Sequence, residues 1–507
     1  MKYKVGAVQI KMKELDLTYN LETLGYYVRQ AAKDGARLIL LPETCNVGSL
    51  CMRREDVLPY AEPIPGKSTD FFSNLCRELG ISVAFGMVEH DRNTGLLYNA
   101  LVLIGWDGEI VGVYRKTHLF STETNFLAAG NTGIPVFDTE FGKIGLLICE
   151  DTVHFETSRL LALQGMDVLL MATCWVDNGP DDAWRTRAAE NGVYMVCADW
   201  WNINSEGSNY GGGSCVIDPQ GNILCELAMG DGYVVAEIDT NCVCRDTILS
   251  ARKKDKYPWL LQDSYLWGCA GQNLPVPAVS QVMALAYGAN TIDAYTDELA
   301  KQIPAVLEKK AKLVVLPAFL GDITAERFVS LVQGAVADAA EEVLFAASCQ
   351  GSGGDVSFLF RKKEILLSYQ SVHQLPGKTG PDSPDAFCTV DTAVGRIGLM
   401  SGPDIFYPEA LRCLGRKGAD IVCVSGEWDR KYKFMLNERR IFSDCAVLAS
   451  CRDSQGAYAY FGAPYGWEMT KEEGTLCAEL DTGNDSIRNK IDLRKARIDL
   501  YEGLLTD

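Results

Sequence analysis

The chain has 507 residues, of which 47% are hydrophobic and 23% charged, and it carries a formal net charge of −19. At about 100–200 residues per domain this length reads as two to four domains, and the composition excludes a mainly disordered chain. The acidic balance argues against nucleic acid or a membrane as partner, since phosphate binding needs clustered Lys and Arg, and no apolar run approaches the roughly 20 residues that span a bilayer.

In chain order, the opening run is short. Lys11, Lys13 and Glu14 interrupt it, so it reads as a strand over Lys4–Ile10 and not as a signal peptide. Residues 20–32 place Leu21, Leu24, Val28 and Ala31 at helical spacing, with Asn20 as the candidate cap. Apolar runs follow at Leu38–Leu41, Ile81–Phe85, Ala100–Ile104, Ile144–Cys149, Val168–Ala172 and Val193–Ala198. Apolar strands alternating with helices predict sheets covered by helices.

The chain then repeats itself. The stretch Asp34 to Glu43, ending Leu-Leu-Pro-Glu, is matched by Lys310 to Ala318, ending Val-Leu-Pro-Ala. Ile144-Gly-Leu-Leu-Ile-Cys-Glu-Asp151 is matched by Ile397-Gly-Leu-Met-Ser-Gly-Pro-Asp404, and Gly165–Leu170 by Gly418–Cys423. The pattern is two copies of one domain rather than a solenoid. Two prolines, Pro275 and Pro277, mark the junction. The expected division is a catalytic domain over 1–265, a linker over 266–278 and a second copy over 279–507.

Three residues of the first copy stand at the ends of apolar runs, where sites gather in open α/β folds. Glu43 follows Leu-Leu-Pro, Lys116 lies in Tyr-Arg-Lys-Thr-His, and Cys149 ends a strand. Each alone is unremarkable. Together they form a thiol nucleophile, a carboxylate to take its proton, and a cation to steady carboxylate and oxyanion. The N–H after Cys149 is a second expected oxyanion donor, and a helix starting near Thr152 would favour the thiolate.

LLPE, YRKTHLF and GLLICED, in that order, resemble the nitrilase superfamily of carbon–nitrogen hydrolases, with its Glu-Lys-Cys triad. The resemblance implies that Glu123 is the family's second glutamate, positioning substrate and lysine. Arg187-Ala-Ala-Glu-Asn191 resembles the family's RAxEN helix, and Gly213 to Gly221 its S-x-I-x-D-P-x-G strand and turn. The implied architecture is two fused four-layer αββα sandwiches packed as an internal pseudo-dimer, with arm-like tails near Arg252–Lys256 and Arg494–Tyr501, and further homo-oligomers allowed. The sequence after Cys149 lacks the family's usual proline, and Cys149-Glu150-Asp151 replaces the Cys-Trp-Glu of true nitrilases. The resemblance therefore implies a small-molecule amide or carbamoyl substrate ahead of a nitrile, with ammonia or an amine released.

In the second copy Ala318, Ser371 and Gly402 replace Glu43, Lys116 and Cys149, which predicts a silent domain. Glu150, Cys174 and Trp175 are candidate substrate contacts; Cys45, Trp200 and Trp201 are candidates for pocket wall or core. Gly211-Gly-Gly213 reads as a tight backbone approach. There is no G-x-S-x-G elbow, no Walker A motif and no G-x-G-x-x-G. Eighteen cysteines with no CxxC pair, and only four histidines, read as reduced buried thiols in a cytoplasmic protein with no metal or cofactor. The rival readings are an N-carbamoyl amidohydrolase or nitrilase using the same triad, and a non-catalytic binding or scaffold protein.

Overall fold

The computed structural model describes the chain apart from residues 49–52, 177–178, 204–208, 263–273, 352–353, 363, 375–385, 465, 467, 490–492, 494 and 507. Most of the expected linker thus lies outside the described residues, as does Arg494. The chain forms two compact units: Met1–Leu249 with Asp499–Leu504, and Ser250–Ile498 with Leu505–Asp507. Compactness therefore divides the chain differently from the repeat. The stretch after Leu249 goes with the second unit, and six residues near the end go with the first.

In the first unit one six-stranded sheet runs, edge to edge, Gly232–Asp239, Lys2–Gln9, Ala36–Leu40, Ser82–His90, Leu97–Ile104 and Ile110–Arg115. The second runs Ile223–Leu227, Ser214–Ile217, Tyr194–Asp199, Val168–Thr173, Gly142–Ile148 and Val136–Thr139. The sheets face each other, and helices cover their outer sides. The helices Leu17–Lys33 and Lys67–Leu79 bury Leu21, Leu24, Val28, Phe72 and Leu75 against Val8, Ile39, Val83 and Phe85 of the first sheet. The helices Phe155–Leu163 and Asp182–Asn191 lie on the second. Strands covered on both faces have no solvent side, which is why Val168–Thr173 and Tyr194–Asp199 are buried at every position.

The first helix corrects one expectation. It starts at Leu17, and the Asp16 carboxylate caps it by accepting from Tyr19 N at 3.1 Å. Asn20 sits inside the helix and exchanges hydrogen bonds with the Lys13 backbone, both 2.8 Å, pinning the incoming loop.

The second unit repeats the layout. Its first sheet runs Gly474–Asp481, Val279–Ala286, Leu313–Val315, Leu344–Gly351, Gly354–Arg361 and Glu364–Gln370. Its second runs Thr389–Thr392, Gly395–Ser401, Ile421–Glu427, Ala446–Asp453, Gly456–Gly462 and Glu468–Glu472. Each unit is a four-layer αββα sandwich with the same strand order. Among the described residues no helix is long and apolar enough to cross a membrane.

Candidate active site

The site of the first unit is built at the carboxyl ends of parallel strands. Glu43 lies in the turn after Ala36–Leu40. Gly86 of the neighbouring strand makes this turn possible: it accepts from Cys45 N at 2.8 Å and donates to Pro42 O at 3.0 Å. A Cβ at Gly86 would come 2.6 Å from Glu43 Cα, so only glycine lets the two backbones pass. Lys116 follows directly on Ile110–Arg115, and Glu123 stands in a 3₁₀ turn over Ser121–Asn125.

Lys116 is fully buried between two carboxylates. Its Nζ donates to Glu43 Oε1 at 2.9 Å and to Glu123 Oε2 at 2.7 Å. Burial opposes its charge, but Glu123 and Glu43 outweigh burial and hold the ammonium pKa well above its ordinary value. Glu123 is pushed up by burial and by the charge of Glu43, with Lys116 pulling the other way. Asn99 joins the two acids: its side-chain amide donates to Glu43 Oε1 at 2.6 Å and to Glu123 Oε1 at 2.8 Å.

Cys149 opens a 3₁₀ turn over Cys149–Val153 with φ at +45°. That left-handed conformation is unfavourable for a residue with a Cβ and marks stored strain. The α-helix begins only at Phe155, after the turn, so the expected helix start near Thr152 is displaced and the helix end does not sit directly behind the thiol. What holds the turn is Asp151. Its Oδ2 accepts from Tyr114 OH at 2.8 Å and Ile148 N at 3.2 Å; its Oδ1 accepts from His118 N and Thr117 Oγ1, both at 2.9 Å. Burial would raise its pKa, but hydrogen bonds and charge from His118, with Lys116 and Tyr114, hold it below the usual carboxylate value. One buried carboxylate thereby ties the turn of Cys149 to the segment of Lys116. His118 Nε2 lies 2.8 Å from Tyr501 OH, a residue of the late segment that belongs to this unit. From the other side Arg187 donates from Nε to Thr152 O at 2.7 Å and from NH1 to Glu190 Oε1 at 2.5 Å, so the RAAEN helix braces the same turn.

Cys174 follows Val168–Thr173 and bonds to Glu43 Oε2 twice, from its N at 3.0 Å and its Sγ at 3.2 Å. One ligating atom each from Glu43, Cys149 and Cys174 lie within 4.8 Å of one another. Burial, a hydrogen bond with Cys149 and the charge of Glu43 push the Cys174 thiol pKa well up, so it stays a protonated donor. Trp175 is half-buried, donates from N to Asp199 Oδ1 at 3.0 Å and meets Trp184 edge-on at 5.6 Å. Glu150 is buried within the Cys149 turn, and Trp200 is packed into the core against Tyr210. The glycine run makes the expected close approach: a Cβ at Gly213 would come 2.3 Å from the Gly179 backbone.

Glu43, Lys116, Cys149 and Glu123 are thus brought together. Sequence alone does not point to the roles of Asn99 and Asp151 or to the bond from Cys174 to Glu43. The signal for Asn99 was a lone amide inside the apolar run Leu97–Ile104, since a buried polar side chain must have partners.

A buried thiol beside a buried carboxylate at the strand ends of an αββα sandwich is the arrangement of a cysteine-based carbon–nitrogen hydrolase. The carbon-nitrogen hydrolase family model matches residues 4–244 and 337–482, and the chain belongs to this family. It is 36% identical over 239 residues to a nitrilase of Pyrococcus abyssi, covering 46% of this chain and 89% of that protein. It is 31% identical over 244 residues to the deaminated glutathione amidase of Homo sapiens, covering 45% and 74%. Among solved structures, Nit3 of Saccharomyces cerevisiae, a member of branch 10 of the nitrilase superfamily, matches at 27% identity and a TM-score of 0.43, covering 48% of this chain and 92% of that one.

Proposed function

We propose that the first unit is a thiol amidohydrolase for a small-molecule amide, acting on carbon–nitrogen bonds other than peptide bonds. The observation that carries this is the ammonium of Lys116 buried between Glu43 and Glu123, with the Cys149 thiol within 4.8 Å of the Glu43 carboxylate. Glu43 takes the Cys149 proton, and the sulfur attacks the amide carbon. Lys116 has three N–H donors, two of them committed to carboxylates, and the third serves the oxyanion. As the C–N bond breaks, Glu43 returns the proton to the leaving ammonia or amine. A water molecule, deprotonated by Glu43, then cleaves the thioester, releasing the acid and restoring the thiol. Glu123 and Asn99 hold Lys116 and Glu43 in place. Glu150 and Trp175 are kept as candidate substrate contacts, and no step needs a metal or cofactor.

Two relatives, a nitrilase and an amidase of deaminated glutathione, bracket the substrate class. The amide is favoured because the residue after Cys149 is Glu150 rather than tryptophan. In this reading the second unit is non-catalytic, and the two halves pair as an internal pseudo-dimer. A reduced catalytic thiol suits a cytoplasmic location. The test is mass spectrometry of the chain quenched during turnover of amides, carbamoyl compounds and nitriles, with ammonia measured in parallel. The expected result is an acyl adduct on Cys149 with an amide. An adduct elsewhere, or amide hydrolysis with no acyl-enzyme, defeats the proposal.

A further inference from the structure

We propose that the second unit carries a binding site for a small zwitterion of the α-amino acid type, in a cleft that replaces part of the core present in the first unit. The cleft has a volume of about 340 Å³ and is lined by Asn290, Leu320, Gly321, Glu427, Arg452 and Asp453 among others. It opens at the carboxyl ends of the strands Val279–Ala286, Ile421–Glu427 and Ala446–Asp453, where open α/β sheets receive ligands.

Strand register shows what has changed. Ser401, Ser425 and Ser450 are neighbours across the second unit's sheet, as Ile148, Ala172 and Ala198 are across the first. Two residues beyond Ala172 and Ala198 stand Cys174 and Trp200, only 1% and 2% exposed, with Trp200 stacked on Tyr210. Two residues beyond Ser425 and Ser450 stand Glu427 and Arg452, and the space beside them is open. At the matching positions of the first unit stand a thiol and an indole, both buried. Here an acid and a base line the cleft instead.

These two charges do not neutralise each other directly. Glu427 and Arg452 are paired in register, a position where opposite charges normally meet, yet they form no ion pair. Arg452 is oriented by its own bonds, donating to Ala289 O and to Asn290 Oδ1, each at 3.2 Å. Asp453 is already committed to Arg430 at 2.7 and 3.1 Å. A cation and an anion that line the same small cleft without pairing match a ligand that carries both charges. Its carboxylate would meet the remaining N–H groups of Arg452 and its ammonium the Glu427 carboxylate. Leu320 and Gly321 form part of the remaining lining.

The test uses the full chain with Cys149→Ala, so that nothing is turned over. Titration calorimetry with glycine, L-alanine and L-glutamine is compared with propionate and ethylamine, which carry one charge each. At least one amino acid should bind with a Kd of about 1 mM or tighter, and the single-charge probes about tenfold more weakly or worse. Glu427→Gln and Arg452→Met should each weaken amino-acid binding by about tenfold. Arg452→Lys, which keeps the charge and endangers the fold less, should fall between. With Cys149 restored, Arg452→Met should leave the iodoacetamide labelling rate of Cys149 unchanged, which separates this site from the hydrolase reading. No binding by any of the three amino acids, equal binding by propionate, or full binding by both Glu427→Gln and Arg452→Met overturns the proposal.

Discussion

The two units keep the same scaffold and differ in backbone conformation at the position of the thiol. Cys149 is held at φ +45°, whereas Gly402, its counterpart, rests at φ −52° and ψ −53° in ordinary right-handed geometry. The second unit has closed around that change, because a Cβ on Gly402 would lie 2.0 Å from Glu427 O. Hydroxyls occupy the neighbourhood: Ser371 Oγ is 2.7 Å from Ser401 Oγ, and Ser348 Oγ is 2.8 Å from Ser425 Oγ. The clamp behind the turn is preserved. Tyr369 OH donates to Asp404 Oδ2 at 2.8 Å, and His373 Nδ1 lies 2.8 Å from Asp404 Oδ1, as Tyr114 and His118 do around Asp151. What serves folding has survived, and what stored strain next to the thiol has gone. That is the pattern expected when strain is maintained only for chemistry.

The largest expected effect tests whether the second unit has lost three side chains or a conformation. Cys149→Ala should reduce ammonia release to background, and Glu43→Gln should reduce it by about 10²–10⁴-fold. Adding Ala318→Glu, Ser371→Lys and Gly402→Cys to the Cys149→Ala chain should restore nothing. Gly402→Cys alone should cost about 1–3 kcal/mol of stability, as overpacking does. Turnover from the rebuilt second unit would show that only side chains were lost.

Next in size is the buried cation. Lys116→Met leaves Glu43 and Glu123 facing each other without it, and denaturant unfolding should report a loss of about 3–5 kcal/mol. At the matching position, Ser371→Ala should cost only about 1 kcal/mol. Equal losses would mean that the carboxylates of the first unit find another partner.

Glu43, Lys116 and Cys149 could be picked out in the sequence because each ends an apolar run and carries a chemistry the run does not need. The residues that hold them could not. Asn99 reaches Glu43 and Glu123 only through strand register and pleat, neither of which local sequence specifies. Asp151 looked like one acid of an acidic pair. The strain at Cys149 had no signal, because it is imposed by the bonds of the turn and not by residue type. Nothing local to Tyr257 or Tyr501 says which unit receives its side chain.

Those two tyrosines allow a smaller test. Tyr501 OH lies 2.8 Å from His118 Nε2 in the first unit, and Tyr257 OH lies 2.5 Å from His373 Nε2 in the second. Each Tyr→Phe should cost about 0.5–1.5 kcal/mol in thermal unfolding. Only Tyr501→Phe should also lower kcat, since His118 contacts the aspartate that holds the Cys149 turn. An equal kcat loss from Tyr257→Phe would mean that the clamps are not independent.

The smallest effect is on acid stability. The folded pKa of Asp151 is depressed, so its contribution is present above the unfolded value of about 3.9 and disappears as pH falls through the folded value. Wild type should lose stability below about pH 4, and Asp151→Asn, less stable at neutral pH, should show a shallower acid decline. An unchanged slope would assign the acid sensitivity to other carboxylates.

The segment Asp499–Leu504 belongs to the first unit although it is far along the chain from Leu249. At about 5–20 residues per second it emerges from the ribosome roughly 12–50 s after the rest of that unit. Throughout that interval His118 lacks the hydroxyl of Tyr501. The first unit is therefore among the first parts to be synthesised and the last to be complete. A transcript cut short in the second half, before the codon for Tyr501, would yield a chain with Glu43, Lys116 and Cys149 all present and the bond to His118 unmade.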